Sequence, residues 1–355
     1  LSSSDLTAYP AYKDLFLWPV RYAAGWKQAP DDFRVDEVWA PDLDPKGEHI
    51  LLRVSKRGQN THWVAREVAR FAGVRDFDVA YMGMKDRQAV TTQYFSVYLG
   101  NRPLPDWSAL ELPDVSIIPA GRISKKLRRG DHAGNRFRIV LHFSAQASGG
   151  GLDAVAVSDI EKKLGYLRQH GYPNAFGLQR FGRNDDNVAR ADLWLGTRKR
   201  HRDRHLQGVY LSAVRSAFFN AVLKERIRQD CWNMLISGDK PVPAAECSLL
   251  YSPRRQCLVP AGTLPGDTRF AEGRRGELEK QTAQPCLRLL EGLHAMGVRA
   301  QNRPLVARCD DLNWEWQGVS RLTLSITLGT GCYASTLLEQ LFILDASDED
   351  AESED

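Results

Sequence analysis

Apolar and polar positions alternate or recur with enough regularity to place several elements along the chain. Glu48–Ser55 puts Ile50, Leu52 and Val54 on one side, the period-2 pattern of a half-buried strand. Asn60–Ala72 repeats at helical spacing through Val64, Val68 and Phe71, and Gly73 supplies the stop. Gln93–Leu99 sets Phe95, Val97 and Leu99 against Tyr94, Ser96 and Tyr98, a strand with an aromatic second face. Phe137–Phe143 alternates in the same way, with Phe137, Ile139, Leu141 and Phe143 inward. Ser158-x-x-Glu161 reads as a capping box that opens a helix through Ile160, Leu164 and Leu167, closed by Gly171. A second helix is expected near Leu211–Arg228, carrying Val214, Phe218 and Val222. Arg321–Leu328 alternates again through Leu322, Leu324, Ile326 and Leu328, and a short helix follows through Leu337, Leu338 and Leu341.

These elements are unevenly distributed. The first half is rich in strands as far as the glycine run at 149–151, the middle is helical, and the end returns to strand. From Asp230 to about Arg308, Pro, Gly and Arg interrupt every periodicity, and the pattern places no element there. A strand-rich domain completed by the C-terminus, with a second domain inserted, fits this order best. No internal repeat is visible. Gly149–Gly151 lacks the strand–loop–helix context that a phosphate loop requires.

Composition narrows the class without naming a function. The chain has 355 residues, 43% apolar and 26% charged, which excludes whole-chain disorder and supports more than one domain. No apolar run approaches the roughly 18 residues of a membrane helix, and Leu1-Ser2-Ser3-Ser4-Asp5 has neither part of a secretory signal. The missing initiator Met points to a processed or trimmed chain. The six cysteines form no C-x-x-C pair and have no His at zinc-finger spacing, so free thiols in a reducing cytoplasm are expected, without a structural metal.

The formal charge of +4 hides an asymmetry. Residues 345–355 hold seven acids and no base, so removing those seven leaves +11 on residues 1–344. The tail at 346–355 is expected to be disordered. Gly121–Arg138 carries seven bases against Asp131, and Arg198–Arg204 reads Arg-Lys-Arg-His-Arg-Asp-Arg. Either run by itself is ordinary solvated surface. Two of them on a basic body point towards nucleic acid, since Lys and Arg contacts to phosphate supply its sequence-independent affinity. Phe137 and Tyr94 could offer stacking surfaces to splayed bases.

The candidate chemistry lies at residues 83–93, Gly-Met-Lys-Asp-Arg-Gln-Ala-Val-Thr-Thr-Gln. Asp86 stands between Lys85 and Arg87, and cations at that spacing favour the charged carboxylate, suited to a nucleophile or a base. Many loop aspartates in ordinary turns look the same. The spacing Gly83-x-Lys85-Asp86-x-x-Ala89-x-Thr91-x-Gln93, however, resembles the active-site signature of the TruD family of tRNA pseudouridine synthases. Further segments resemble that family in order. They are Lys27-Gln28-Ala29-Pro30-Asp31-Asp32-Phe33-Arg34-Val35-Asp36-Glu37, Gly47-Glu48-His49, Asn60-Thr61, Gly134-Asn135-x-Phe137, Asn174-x-Phe176-Gly177-x-Gln179-Arg180-Phe181-Gly182 and Ser216-x-x-Phe219-Asn220. The likeness spans about residues 20–342. Ala175 stands where an aromatic is usual and Asp31 where Glu is usual. Leu328–Ser335 lacks the family's Pro and Ser, which bears on local loop geometry and not on the Asp86 motif.

The resemblance implies an α+β fold. A pseudouridine synthase catalytic domain with a mixed, mainly antiparallel sheet would comprise 1–165 and 318–345, interrupted by an inserted α/β TRUD domain at 166–317. It implies isomerisation of uridine to pseudouridine in tRNA, at uridine 13; the cysteines point separately to the cytoplasm, and with no sign of an extended dimer interface a monomer is expected. No cofactor, metal or membrane would be involved. Asp86 would be the catalytic carboxylate, attacking C1′ or C6 or removing a ribose proton. Lys27 would keep it ionised, Gln93 and Asn135 would position it or the substrate, and Phe137 would stack on the flipped base. Lys85, Phe33, Gln179 and Arg180 complete the expected substrate-binding set. Phe137 and Phe33 also fit a core, and Gln179-Arg180 also fits a structural turn. The competing classes are an RNA-binding or chaperone-like protein without catalysis, and a metal-dependent nuclease, for which the eight scattered His give little support.

Overall fold

The alternation seen in the sequence decides which face of a ten-stranded mixed sheet is covered. The computed structural model describes residues 15–19, 21–100, 102–144, 151–182, 186–197, 203–246, 249–250, 257–267 and 270–345. The acidic tail at 346–355 and most of the basic run at 198–204 lie outside the described residues, as do two of the three glycines at 149–151. The strands of the sheet are β1 (Tyr22–Trp26), β2 (Phe33–Val38), β3 (His49–Arg57), β4 (Val79–Tyr81), β5 (Val90–Tyr98), β6 (Val115–Ile123) and β7 (Gly134–His142). It is completed by β8 (Asn313–Gln317), β9 (Arg321–Gly329) and β10 (Phe342–Asp345). Their order is β8-β9-β7-β2-β5-β3-β6, with β1 bridging β10 and the end of β7, and β4 lying along β5. The β2–β5 and β1–β10 pairs are parallel and the remaining pairs antiparallel.

One face of this sheet is dry. Residues one and two strands apart lie opposite each other by register: Phe137 faces Val35 and Ile326, and Ile139 faces Phe33 and Leu324. Helix α1 (Thr61–Phe71) covers β3 and β5 through Val64 and Val68, packed on Leu52, Val54, Phe95 and Val97. Helix α2 (Ala154–His170) covers β7 and β9 through Ile160, Leu164 and Leu167. The other face carries Arg34, Asp36, Arg136 and Arg138, all exposed. Strand alternation therefore turns Arg136 and Arg138, counted above with one basic cluster, away from Asn135 and Phe137.

Helix starts differ from the sequence expectation for a local reason. Helix α2 begins about a turn before Ser158, because the Asp153 carboxylate accepts from the Ala156 N–H at 2.7 Å and caps it. Two further helices are α3 (Asn187–Gly196) and α4 (Arg204–Arg228). Helix α4 starts seven residues before Leu211, where Asp203 accepts from His205 and Leu206. Its first turn is exposed, but Val209 and Tyr210, before Leu211, already pack on the second core, so the apolar face extends further back than expected. Helices α5 (Gly273–Ala283) and α6 (Leu287–Ala295) occupy the stretch in which no element was placed. The last helix, α7 (Ala334–Leu338), ends before Leu341.

Helices α3 to α6 enclose a second core around Leu195, Val214, Phe218, Phe219, Val222, Leu278, Leu289 and Leu293. It meets the sheet at a polar seam. Asn220 is bonded to both main-chain groups of Phe176, its Oδ1 accepting at 3.0 Å and its Nδ2 donating at 2.9 Å. The Arg303 guanidinium, 4.1 Å from the Phe176 ring centre, donates to Asn174 Oδ1 and to the Gly331 carbonyl. Among the described residues no helix is long and apolar enough to cross a membrane, and no group of three or more His, Cys, Asp and Glu could hold a metal ion.

Candidate active site

Three adjacent strands each place one polar side chain where the face pattern calls for an apolar one. On β2, Glu37 follows Phe33 and Val35. On β5, Gln93 precedes Phe95 and Val97. On β3, Lys56 follows Leu52 and Val54. All three are buried, and buried polar groups need partners. The loop from Gly83 to Ala89 supplies them. Lys56 donates to the Asp86 carbonyl at 2.9 Å and to the Gln59 carbonyl at 2.7 Å. Gln93 donates to the Gly83 carbonyl at 3.1 Å and accepts from Thr61 Oγ1 at 3.0 Å. Glu37 pairs with the Lys85 ammonium at 2.9 Å and accepts from the Tyr94 N–H. Thr61, the first residue of α1, also accepts from the Lys85 N–H at 3.2 Å. The loop is thus tied to the sheet centre at three points and to the end of α1 at a fourth.

This fixation leaves the Asp86 side chain outside, 47% exposed, with Oδ2 accepting from the Lys27 ammonium at 2.8 Å. Lys27 is 4% exposed. Its Nζ lies 4.5 Å from the Trp26 ring centre and 4.6 Å from that of Phe33, which hold it by cation–π attraction. Its φ of 53° lies in the left-handed region, which costs a residue with a Cβ about 1 kcal/mol or more. A buried ammonium, held between two rings on a strained backbone, is directed at one exposed carboxylate.

Burial also sets the protonation of the surrounding groups. Burial brings the Lys56 ammonium down to about 8, with the positive charge of Lys85 acting in the same direction and Asp86 opposing. Glu37 is pushed above its ordinary value by burial, against the pull of Lys85. His132 is brought down to about 4, chiefly by burial and then by Lys85, so it is neutral at physiological pH. His132 Nε2 lies 3.4 Å from Asn135 Nδ2, and Asn135 stands directly across from Glu37 in the β2–β7 register.

The other expected site residues divide into two groups. Phe33 and Phe137 are buried with ring centres 5.9 Å apart, Phe137 retaining 8% exposure, so both contribute to the core. Tyr94 is half-buried and meets Trp39 edge to face at 5.3 Å. Gln179 and Arg180 lie in a short turn, Leu178–Phe181, beside the second core. Gln179 is exposed, whereas Arg180 donates to Ser212 Oγ and to the Tyr333 hydroxyl, each at 3.1 Å. The loop after β9 joins this turn to the β7 end of the site: Thr330 Oγ1 donates to the His132 carbonyl, while the next residue, Gly331, accepts from Arg303 and Tyr333 accepts from Arg180. Lys56 carried no expectation from the sequence. Its signal was a lysine in the inward register of Ile50, Leu52 and Val54.

Comparison with known proteins bears on this arrangement as a whole. The sequence profile of the family described as tRNA pseudouridine synthase D (TruD) matches residues 23–191 and 200–341. A tRNA pseudouridine synthase D of Methylococcus capsulatus is 36% identical over 328 residues, covering 89% of this chain and 90% of that protein. One from Cellvibrio japonicus is 33% identical over 330 residues, covering 91% and 90%. This chain belongs to the TruD family. A crystal structure of a TruD from Methanosarcina mazei, described there as a putative tRNA pseudouridine synthase, superposes with a TM-score of 0.68 at 20% identity. It covers 92% of this chain and 95% of that one, and shows that the TruD fold is shared. The profile's interruption at 192–199 falls at the end of α3, and both sides of the seam described above lie within the match. As a TruD member the chain is an isomerase of the tRNA pseudouridine synthase class.

Proposed function

We propose that this enzyme converts uridine 13 of tRNA to pseudouridine, with Asp86 as the catalytic carboxylate. The observation that carries the assignment is the exposed Asp86 carboxylate paired with a buried Lys27 on a loop pinned at four places. The reaction breaks N1–C1′, turns the base, forms C5–C1′ and releases the C5 proton. It is redox-neutral, and a positioned carboxylate acting at C1′ or C6, or on a ribose proton, meets its needs without a cofactor or metal. The target base must first leave the stack. Phe137 is assigned the floor on which it rests, and Asn135 an edge contact.

Lys85 and Gln93 are assigned to holding the loop, since their polar ends are engaged by Glu37, Thr61 and Gly83. Exposed Lys125, Arg128 and Arg129 lie on a loop joined to the site where the Gly130 N–H meets the Met82 carbonyl, and they are assigned to tRNA phosphates. Gln179 and Arg180 extend the tRNA surface onto the second core. That core and the sheet are read as the inserted domain expected at 166–317 and the catalytic domain expected at 1–165 with 318–345, except that the end of α2 and the strand β8 (Asn313–Gln317) fall on the sheet's side of both boundaries. The protein is read as a monomer. The free thiols at Cys231, Cys257, Cys286, Cys309 and Cys332 support a cytoplasmic setting.

Tritium release from tRNA carrying 5-labelled uridine tests the assignment. The wild-type protein is expected to release label from position 13, and Asp86→Ala to bind the same tRNA and release none. Release by Asp86→Ala at the wild-type rate refutes the role, and no release by either protein points to an RNA-binding protein without catalysis.

A further inference from the structure

Beside the Asp86 loop lies a feature that the isomerisation itself does not use. Phe77, between Asp76 and Asp78 at the entry to β4, leaves 58% of its surface in solvent. The Arg75 guanidinium lies 3.9 Å from its ring centre and is held there by Asp78 at 3.1 Å. A cavity of about 300 Å³ opens between this ring, Val79 and Tyr81 on one side and His62, Ala65 and Arg66 of α1 on the other. The cavity reaches the catalytic loop at two places. The Tyr81 hydroxyl donates to the sulfur of exposed Met84 at 3.5 Å, and Thr61, next to His62, accepts from the Lys85 N–H.

The groove's chemistry selects its occupant. Its lining holds one cation, Arg66, and two more meet Phe77 at its edge, Arg75 over the ring and Lys126 donating to the carbonyl. The acids are Asp76 in the lining, 3.7 Å from Arg66, and Asp78 at the edge, paired with Arg75. The three cations outnumber the two acids, and both acids are already paired. An exposed aromatic, a second aromatic wall and a surplus cation suit a flat π-surface attached to an anionic backbone. We propose that this groove receives an unpaired base of the same RNA, one that flanks the uridine delivered to Asp86. The assignment rests on the reading of Asp86 as the reaction centre. Stacking between a base and an aromatic side chain tolerates any base identity, so the groove would hold the strand in place without reading its sequence.

The test uses the full chain in the Asp86→Ala background, so that bound RNA is not consumed, with an unmodified tRNA transcript as probe. Base–aromatic stacking is worth about 1–3 kcal/mol by alanine substitution. Phe77→Ala should therefore raise Kd by about 5- to 150-fold, and Phe77→Trp should restore it. Because stacking and not phosphate contact is lost, the slope of log Kd against log salt should stay the same. 2-Aminopurine placed at the nucleotides flanking the target should be quenched by the Phe77 protein at one position and not by Phe77→Ala. Unchanged Kd in Phe77→Ala, failure of Phe77→Trp to restore it, or no quenching at any flanking position would overturn the proposal. The reading of Asp86 fails separately, by turnover in Asp86→Ala, and that outcome leaves the Kd and quenching results to decide the groove.

Discussion

Replacing Lys27 by Met separates the electrostatic role of the ammonium from its packing role. The Met side chain has similar length, fits between the Trp26 and Phe33 rings, and makes favourable sulfur–aromatic contacts there. It also keeps the Cβ, so the cost of the backbone at φ 53° is the same in both proteins. What disappears is a charge 2.8 Å from Asp86 Oδ2. Breaking a fully buried pair costs about 3–5 kcal/mol, and breaking an exposed one about 0.2–1 kcal/mol. Asp86 is half in water, which replaces part of the lost interaction, so about 1.5–3 kcal/mol is expected. At about 1.4 kcal/mol per tenfold, single-turnover tritium release should slow by about 10- to 150-fold. Because Asp86 is left half in water and no buried charge remains unpaired, the unfolding free energy should fall by less than about 1 kcal/mol. Turnover within twofold of wild type would refute the role of Lys27. A loss of activity accompanied by 2 kcal/mol or more of lost stability would make it a folding effect.

Two further outcomes follow from buried polar groups. Lys56 has an ordinary value of 10.5 and is brought to about 8 by burial. Between those values the unfolded chain binds more protons than the folded one, so stability rises with pH across that window and carries the penalty below it. At about 1.4 kcal/mol per pH unit, the stability of wild type relative to Lys56→Met should rise by about 3 kcal/mol from pH 7 to 10.5 in urea titrations; a constant difference would refute this. At the seam, Asn220→Ala leaves the Phe176 N–H and carbonyl buried without partners, at about 1–3 kcal/mol each. Urea unfolding should show a loss of about 2–5 kcal/mol, and a loss below about 1 kcal/mol would contradict the bonding.

Strands were readable wherever one face is dry. Ile50, Leu52 and Val54, Phe137, Ile139 and Leu141, and Leu322, Leu324 and Ile326 all lie on the covered side, where burial enforces a period of two. The start of α4 and the whole of α5 were not readable. The first turn of α4 is solvated, and α5 buries Arg275 and Glu279 against Thr263 and Asn302, with Leu278 and Ala283 too few beside them to show an apolar period. At the site, Asp86 and Lys27 were accessible through the family resemblance. The buried supports were accessible only as violations of the alternation, and Lys56 shows why such a violation is informative. A charged residue in an apolar register must meet a partner from elsewhere in the chain, and here that partner is the backbone of the residue proposed to do the chemistry. The groove beside Phe77 arises from two separate elements meeting in space and has no one-dimensional trace.

The pairing of β7 with β9 has a consequence for how the chain is made. Gly134–His142 emerges from the ribosome about 180 residues ahead of Arg321–Gly329, its antiparallel neighbour. At about 5–20 residues per second that interval lasts about 10–40 s. Throughout it, one edge of a strongly apolar central strand has no ladder, while the helices of the second core are being synthesised. β10, which closes the sheet against β1, arrives later still. A nascent chain halted anywhere in the middle therefore presents an open template for intermolecular pairing. Truncations that keep the Asp86 motif but stop before β9 should accumulate as aggregates, not as a smaller enzyme.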